Sequence, residues 1–353
     1  MNAESRTFLD RLLTTPSVSG YEQPIQQAFR EYASAFADEV HTDVHGNAAA
    51  VLNPEGQPRI MLAAHCDQIG FIVQHIDSNG YLAFSAVGGH DNAVLIGQPV
   101  VVWTKDGAVN GVIGRKAVHL LSASERGKAP SIENLWIDIG AKDKEEAESV
   151  AALGDPVTFR LGVTELRNNR IASPALDNKA GVWAMTEAAR ALAETRDFDA
   201  AVFAVSTVQE ELGVRGAETS AYTVNPHVGL AVDVNHATDT PDAKKKKIGH
   251  TVVGGGPVIV RGPNVNPRVF EIAVEAAQNA DIPIQIAAHP SATPTDARAL
   301  QVARGGTAAG LFKIPNRYMH TTVEVVSLED MEQTAALFAE FIRAVPSDAD
   351  FTP

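Results

Sequence analysis

The chain has 353 residues, of which 43 are acidic and 29 are basic, so its formal net charge is −14. This acidic balance argues against nucleic acid or an anionic membrane as the main partner. The single cysteine, Cys66, excludes an intrachain disulfide, and no run of about 18 apolar residues predicts a membrane helix. The N-terminal residues carry charges where a secretory signal would be apolar, so we expect a cytoplasmic protein of about two domains.

The N-terminal part of the chain predicts two helices followed by two strands. Apolar residues recur every three or four positions at 7–13 and 24–36, which is the helical period. Continuous apolar runs at 48–52 and 59–64 predict buried strands, and the second run ends abruptly in a polar triplet.

The segment from about 71 to 161 has a different pattern. Short apolar runs alternate with glycine-containing turns, which predicts a β-rich domain inserted into the first domain. One helical stretch, at 143–153, interrupts it. Charged and small residues at 115–130 indicate a mobile loop.

After residue 170 the chain predicts alternating helices and strands. The predicted helices lie at 178–194, 267–280 and 328–345, and the predicted strands lie at 200–208 and 228–232. Buried strands between amphipathic helices favour a doubly wound α/β sheet covered on both faces. We therefore expect a mixed-sheet α/β catalytic domain made of residues 1–70 and 162–353.

Polar residues that directly follow apolar runs are the first candidates for a site, because ligands of open α/β sheets collect at the carboxyl ends of strands. His65 and Asp67 follow the run at 59–64. If that strand continued, their spacing of two would place both on one face. A carboxylate beside a ligating histidine commonly fixes its tautomer. Taken alone, the pair is equally compatible with two ordinary loop residues.

Glu210 and Glu211 follow the apolar run at 200–208. Two adjacent carboxylates at the end of a buried strand are costly unless they are paired or bind a cation, because burial disfavours the charged form. Neighbouring strand residues point in opposite directions. One glutamate could therefore bind a metal while the other addresses a water.

Three further candidates each have an ordinary interpretation when taken alone. Asp177 precedes a predicted helix and could cap it. Asp233 follows a strand, and His320 is a lone histidine. The complete set contains two histidines, three carboxylates and a spare glutamate, which fits two divalent cations with one carboxylate between them. Water at such a pair becomes a nucleophile at neutral pH, and the spare glutamate would be its general base.

Five strings that contain these residues resemble the tetrahedral, glutamyl and deblocking aminopeptidases, which form metallopeptidase family forty-two and include proteins labelled cellulase M. The strings occur in the family's order and span nearly the whole chain: HCDQIGFIV at His65, ALDNKAG around Asp177, VQEELGVRGA around Glu210, AVDVNHATDTP around Asp233 and RYMHTTVEVVSLEDM around His320. The resemblance implies a zinc-peptidase-like catalytic domain.

The resemblance also implies a role for each candidate residue. Glu210 would be the catalytic base and Asp67 the partner of His65. A cis peptide bond is implied after Asp177. The implied metal ligands are His65 and Asp233 for one ion, Glu211 and His320 for the other, and Asp177 for both. This donor set suits Zn²⁺ or Co²⁺ and would accept Mn²⁺.

The family's inserted domain helps dimers assemble into dodecameric tetrahedra whose active sites face an inner chamber. The resemblance implies this role for residues 71–161, and it places the loop at 115–130 near the chamber or a neighbouring subunit.

The sequence departs from the family's pattern at two places. Gln68 replaces a common glutamate, and residues 291–297 replace a more glycine-rich stretch, which leaves the preferred N-terminal residue of the substrate open.

The predicted reaction is metal-dependent removal of N-terminal residues from peptides with a free α-amine. A dinuclear-metal N-acyl-amino-acid deacylase or a carboxypeptidase remains an alternative. An alternative of another class is a non-catalytic, self-assembling shell protein that binds peptides. A glycosidase needs two carboxyl groups about 5–9.5 Å apart that flank a sugar bond, and Glu210 with Glu211 could supply only one side.

Overall fold

The computed structural model of the chain describes residues 1–124 and 126–353, so Glu125, in the loop predicted to be mobile, lies outside the described residues. The helices are α1 (Ala3–Thr14), α2 (Gln23–Ala33), α3 (Lys144–Val150), α4 (Leu176–Thr195), α5 (Arg215–Val224), α6 (Lys245–Ile248), α7 (Pro267–Asn279), α8 (Asp296–Gln301) and α9 (Leu328–Ala344). The strands are β1 (Glu39–Thr42), β2 (Ala48–Leu52), β3 (Arg59–His65), β4 (Gly70–Ile76), β5 (Leu82–Val87), β6 (Pro99–Thr104), β7 (Gly107–Arg115), β8 (Leu135–Asp138), β9 (Pro156–Phe159), β10 (Thr164–Leu166), β11 (Arg170–Ser173), β12 (Ala201–Thr207), β13 (Val228–His236), β14 (Val258–Arg261), β15 (Gln285–Ala288), β16 (Ala308–Asn316) and β17 (Glu324–Ser327).

An eight-stranded mixed sheet forms the larger part of the molecule, in the order β1-β2-β12-β3-β13-β16-β14-β15. Its four central strands, from β12 to β16 in that order, run parallel to one another. The strands β2 and β14 pair antiparallel with the outer members of this set. Parallel strands end at the same edge, so the residues that follow β12, β3 and β13 are brought together there.

Helices cover both faces of this sheet. Side chains alternate between the faces along each strand. On one face Leu62 packs in a core with Trp183 of α4 and Phe338 of α9. On the other face Met61 packs with Leu300 of α8 and with α5. Each fully buried side chain of this size contributes about 1.5–3 kcal/mol to stability, so the two cores hold the strand register at the functional edge.

Residues 70–159 form a closed six-stranded barrel, in the order β4-β5-β8-β7-β6-β9. The barrel has its own core, which includes Phe71, Val100 and Ile137. A small antiparallel sheet, β10-β11-β17, lies after the barrel in the chain. The predicted fold class, a mixed α/β sheet with a β-rich insertion, is confirmed. The exact division into domains and an assembly role for the barrel stay predictions.

Most predicted helices and strands are present, with bounds that differ by a few residues. The main omission from the sequence prediction is β16, a central strand. Gly310, Lys313 and Pro315 interrupt its apolar run, and proline usually argues against a central strand. The shorter elements α5, α6, α8, β1, β10, β11, β14, β15 and β17 were also not predicted. Among the described residues, no helix is long and apolar enough to cross a membrane.

Candidate metal centre

The predicted site residues meet at the carboxyl edge of the central strands. His65 is the last residue of β3, and Asp233 lies within β13. Glu210 and Glu211 follow β12. Asp177 and His320 come from turns outside the large sheet: Asp177 lies at the beginning of α4, and His320 lies between β16 and β17. All but His320 are largely buried.

Six side chains form two groups. Within each group, one ligand atom from every residue lies within 4.8 Å of the others. We call them the His65 group, which consists of His65, Glu210 and Asp233, and the His320 group, which consists of Asp177, Glu211 and His320.

Asp177 lies between the two histidines. Its Oδ1 is 3.2 Å from Nε2 of His65, and its Oδ2 is 3.4 Å from Nε2 of His320. Nε2 of His65 is also 3.9 Å from Oε2 of Glu210 and from Oδ1 of Asp233. Nε2 of His320 is 3.4 Å from Oε1 of Glu211. The two groups therefore adjoin, with the Asp177 carboxylate in contact with both.

Both histidines direct the same ring nitrogen into the cluster. Nδ1 of His65 is 3.1 Å from the carbonyl oxygen of Asp67, and Nδ1 of His320 is 2.9 Å from the carbonyl oxygen of Gly89. A carbonyl can only accept a hydrogen bond, so Nδ1 carries the proton in each ring. Nε2 is then free to bind a cation. Gly89 belongs to the segment between β5 and β6, so the barrel segment orients one of these histidines.

Asp67 contacts the site differently from what the sequence predicts. The strand β3 ends at His65, so Asp67 does not share a strand face with it. Its carboxylate is 3.5 Å from Nδ1 of His65, but it accepts closer hydrogen bonds. These come from the backbone N–H groups of Glu210 (2.9 Å) and Glu211 (3.1 Å) and from the hydroxyl of Ser19 (2.7 Å). Asp67 therefore mainly holds the backbone that carries the two glutamates.

Glu210 and Glu211 do not continue a strand, and the prediction that they alternate as strand neighbours is wrong. The strand β12 ends at Thr207, and Gln209 has a φ of +53°, which begins a turn. The carboxylate of Glu22 accepts the N–H of Gln209 at 3.1 Å. The two glutamate side chains nevertheless separate, one into each group.

The backbone at Asp177 is not that of a helix cap. The peptide bond between Asp177 and Asn178 is cis, as the family resemblance implies, and both residues have non-helical dihedral angles. Nδ2 of Asn178 donates to the carbonyl of Val232 at 2.8 Å, which ties this turn to β13. A Cβ atom at position 181 would lie 2.2 Å from Oδ1 of Asn178, so only Gly181 leaves room for that side chain.

Glu324 is a site residue that the sequence does not reveal. It is 2% exposed and is the first residue of β17. Its carboxylate accepts hydrogen bonds from the backbone N–H groups of both Asp177 and His320, each at 2.8 Å. A signal that could have pointed to it is a carboxylate in the otherwise apolar sequence VEVV at 323–326.

The electrostatics of the cluster favour a bound cation. Burial, and then the charges of neighbouring carboxylates, raise the pKa of Glu210. Burial likewise raises the pKa of Asp233. Hydrogen bonds to Asp177 and Glu211 raise the pKa of His320 to about 11. Neighbouring carboxylates add to the rise in pKa at Glu210 and Asp233, and positive charge at this place would relieve that repulsion. Imidazole nitrogens and carboxylate oxygens are also the donors that Zn²⁺ and similar ions accept, so the residues fit two divalent cations.

A cavity of about 730 Å³ opens in front of the two groups. Among the described residues that line it, the carboxylates all belong to the two groups. The remaining lining is mostly neutral, but it includes two cationic side chains, Arg298 and Lys313, and two histidines whose pKa values burial lowers, His236 and His289. The ammonium group of Lys313 donates to the carbonyl of Val234 at 3.0 Å. The cavity therefore combines the four carboxylates with two cationic side chains.

The two departures from the family pattern have different positions. Gln68 is buried away from the cavity, and its Oε1 accepts a hydrogen bond from Nζ of Lys179 at 2.8 Å. Residues 291–295, by contrast, line the cavity. The second departure is the one that can affect substrate contacts.

A mixed α/β fold with an inserted barrel, and with paired histidine and carboxylate groups at the edge of its parallel strands, defines an α/β peptidase. The chain belongs to the M42 glutamyl aminopeptidase family, whose model matches residues 46–337. The family resemblance predicted from the five strings is confirmed.

The relatives of this chain are similar over nearly its whole length. It is 36% identical over 349 residues to the lysyl aminopeptidase of Pyrococcus furiosus, which covers 98% of this chain and 99% of the relative. The TET aminopeptidase of a marine sediment Thaumarchaeota archaeon has a TM-score of 0.91 at 34% identity, with 96% of each chain covered. The Pyrococcus horikoshii TET1 peptidase, which can assemble into a tetrahedron or a large octahedral shell, has a TM-score of 0.84 at 30% identity, with 96% of this chain and 99% of that chain covered. The predicted aminopeptidase activity thus has support from the family and from its named relatives.

Proposed function

We propose that this chain is a two-metal aminopeptidase that removes the N-terminal residue of peptides. The observation that carries the proposal is the contact of Asp177 with histidines of both groups, 3.2 Å from His65 and 3.4 Å from His320. A carboxylate that contacts both groups fits a pair of adjacent ions, whereas two separate cation sites would not need one.

Five residues would hold the cations: His65 and Asp233 one ion, Glu211 and His320 the other, and Asp177 both. When bound, the ions would polarise the peptide carbonyl and lower the pKa of a water. The ions would be Zn²⁺ or Co²⁺, with Mn²⁺ also compatible with the donors. The carbonyl oxygens of Asp67 and Gly89 orient the two histidines by accepting the N–H at Nδ1 of each ring.

Glu210 is the general base in this proposal. It takes a proton from the attacking water and returns it to the nitrogen of the departing amine, so the peptide C–N bond breaks and a free amino acid leaves. Asp67 positions the base by accepting its backbone N–H at 2.9 Å.

Two cationic side chains at the cavity, Arg298 and Lys313, support a further proposal about which N-terminal residue of a substrate is preferred. We propose that a first residue with an acidic or neutral side chain is cleaved faster than lysine, unlike in the named Pyrococcus furiosus relative. Two of the three N–H groups of the Lys313 ammonium have no hydrogen-bond acceptor among the described residues. Arg298 is exposed at the cavity, and no ion pair joins it to a carboxylate among the residues that the structure describes. Replacing Arg298 with Glu should therefore shift the preference toward lysine, without loss of activity on neutral substrates.

We also propose that the protein assembles in the cytoplasm into a dodecameric tetrahedron built from dimers. The assembly of the Pyrococcus horikoshii relative supports this, as do exposed apolar side chains in and after the barrel strand β7, Val112, Val118 and Leu120. Sedimentation of the purified protein as a monomer alone would contradict the assembly and leave the chemistry untouched.

The decisive experiment measures turnover of free and N-acetylated aminoacyl p-nitroanilides of Leu, Glu, Lys and Ala. The protein is tested after chelation and again after addition of Zn²⁺ or Co²⁺. We expect metal-dependent cleavage of the free amines only. Cleavage of the acetylated set alone would indicate a deacylase, and full metal occupancy without turnover would indicate a non-catalytic shell.

A further inference from the structure

We propose that Glu324 is a positioning residue that holds the His320 group in shape for its cation. The proposal rests on the two-metal function proposed above, and it concerns a residue that contacts backbone rather than metal or substrate. Its two carboxylate oxygens are used separately. Oε1 accepts the N–H of His320 and Oε2 accepts the N–H of Asp177, each at 2.8 Å.

The strand pairing explains why one side chain can reach both ligands. The strand β11 leads into the turn with Asp177, and β17 begins directly after the turn with His320. These strands pair antiparallel with Ser173 opposite Glu324. Asp177 and Glu324 are 147 residues apart in the chain, yet they become neighbours through this pairing.

The two turns need such a tie because neither ligand lies on a sheet strand. His320 has a φ of +61°, a left-handed conformation that non-glycine residues adopt only where the surroundings hold them. Its ring is held by the carbonyl of Gly89, and its backbone N–H is held by Glu324. Without Glu324, two buried N–H groups would lack an acceptor, and the spacing of two ligands would no longer be set.

Glu324→Gln is the informative variant. Glutamine has nearly the same size, but it offers one oxygen and one NH₂ group, so one of the two backbone N–H groups faces a donor. The probe is Co²⁺ added to metal-free protein in a calorimetric titration, with the visible absorption of bound Co²⁺ recorded in parallel. We expect the Co²⁺ ion that Glu211 and His320 would hold to bind at least about 10-fold more weakly, as is common when a group that supports a metal ligand is removed, and the other ion, which shares only Asp177, to be weakened less.

The chain contains a matched control, Asp330. Its carboxylate also accepts two backbone N–H groups, from Gly254 at 2.7 Å and Gly256 at 2.8 Å, and it is fully buried. None of these residues belongs to either group. Asp330→Asn therefore makes the same chemical change away from the site. We expect it to lower the urea midpoint of unfolding but to leave both Co²⁺ affinities unchanged.

If Glu324→Gln does not fold, Glu324→Asp provides a second test. It keeps both acceptor oxygens but shortens the side chain by one methylene, and we expect weakening of the same Co²⁺ site. A folded Glu324 variant with two unmodified Co²⁺ affinities would overturn the proposal, as would equal weakening in Asp330→Asn. Failure of the unmodified protein to cleave any aminoacyl p-nitroanilide, with two Co²⁺ still bound, would refute the proposed function alone.

Discussion

The two groups of the candidate metal centre are held in place by different means. In the His65 group, His65 and Asp233 lie on β3 and β13, which are adjacent parallel strands with a continuous register. In the His320 group, all three residues lie on turns. They depend on hydrogen bonds to Glu324, Asp67 and the carbonyl of Gly89. A sheet edge thus positions ligands through its own backbone pairing, whereas turn residues need buried acceptors from distant parts of the chain.

The largest effect that tests this comparison is expected for Glu210→Gln. Glu210 lies in the His65 group by distance but acts as the base in the proposed reaction. Since an amide cannot accept the proton, turnover should fall at least about 100-fold. Metal content, measured by atomic absorption, should stay full. Loss of one cation would instead make Glu210 a ligand, and retained turnover would remove it from the reaction.

A smaller effect is expected for Asp67→Asn, because Asp67 supports a residue of each group. Asparagine offers one acceptor oxygen in place of two, so one of the N–H groups of Glu210 and Glu211 loses its partner. We expect about a 10-fold loss of metal affinity. Titration with Co²⁺ should show a similar loss at both sites, whereas Glu324→Gln should weaken one site more than the other. Unchanged affinity at both sites would show that the turn keeps its shape without Asp67.

A pH-dependent effect is expected at His90, which follows Gly89 next to the His320 group. Burial lowers the pKa of His90 from 6.5 to about 4. The folded protein therefore binds fewer protons at His90 than the unfolded chain as the pH falls below 6.5, so the contribution of His90 to stability decreases in that range. Between pH 7.5 and 5.5 the loss expected from His90 alone is about 1.3 kcal/mol.

The measurement for His90 compares urea unfolding of the protein and of His90→Gln at both pH values. Glutamine keeps a donor for the carbonyl of Gly70, which the His90 ring contacts at 2.9 Å, but it does not titrate. The stability of the variant should consequently fall less on acidification. An identical pH dependence in both proteins would show that His90 is not the group responsible.

The smallest effect is expected for Ser19→Ala. Ser19 donates to Asp67 at 2.7 Å but touches no predicted ligand. Loss of this hydrogen bond should lower the free energy of unfolding by about 1 kcal/mol. Metal content and turnover should change little, because Asp67 keeps its two backbone contacts. A large loss of activity would show that Ser19 fixes the Asp67 carboxylate more directly than its position suggests.

Sequence patterns predicted the central fold well and identified the residues that meet at the candidate metal centre, because both signals are local. Buried strands such as β2 and β3 are continuous apolar runs, and the polar residues that end them are visible without any tertiary contact. The details beyond the strand ends were less predictable. The turn at Gln209 and the strand β16 depend on neighbours that lie far away in the chain.

The sequence by itself determined the residue types of the centre and the edge of the sheet at which most of them lie, because these follow from apolar periodicity and from the chemistry of histidine and carboxylate. The tertiary structure brings these six side chains together in two groups with Asp177 between them, an arrangement that the family resemblance implies for the five expected ligands. It also decided that Glu324 and the Gly89 carbonyl support the His320 group. The contact of Glu324 with Asp177 and that of Gly89 with His320 join residues 147 and 231 positions apart, so no local pattern encodes them.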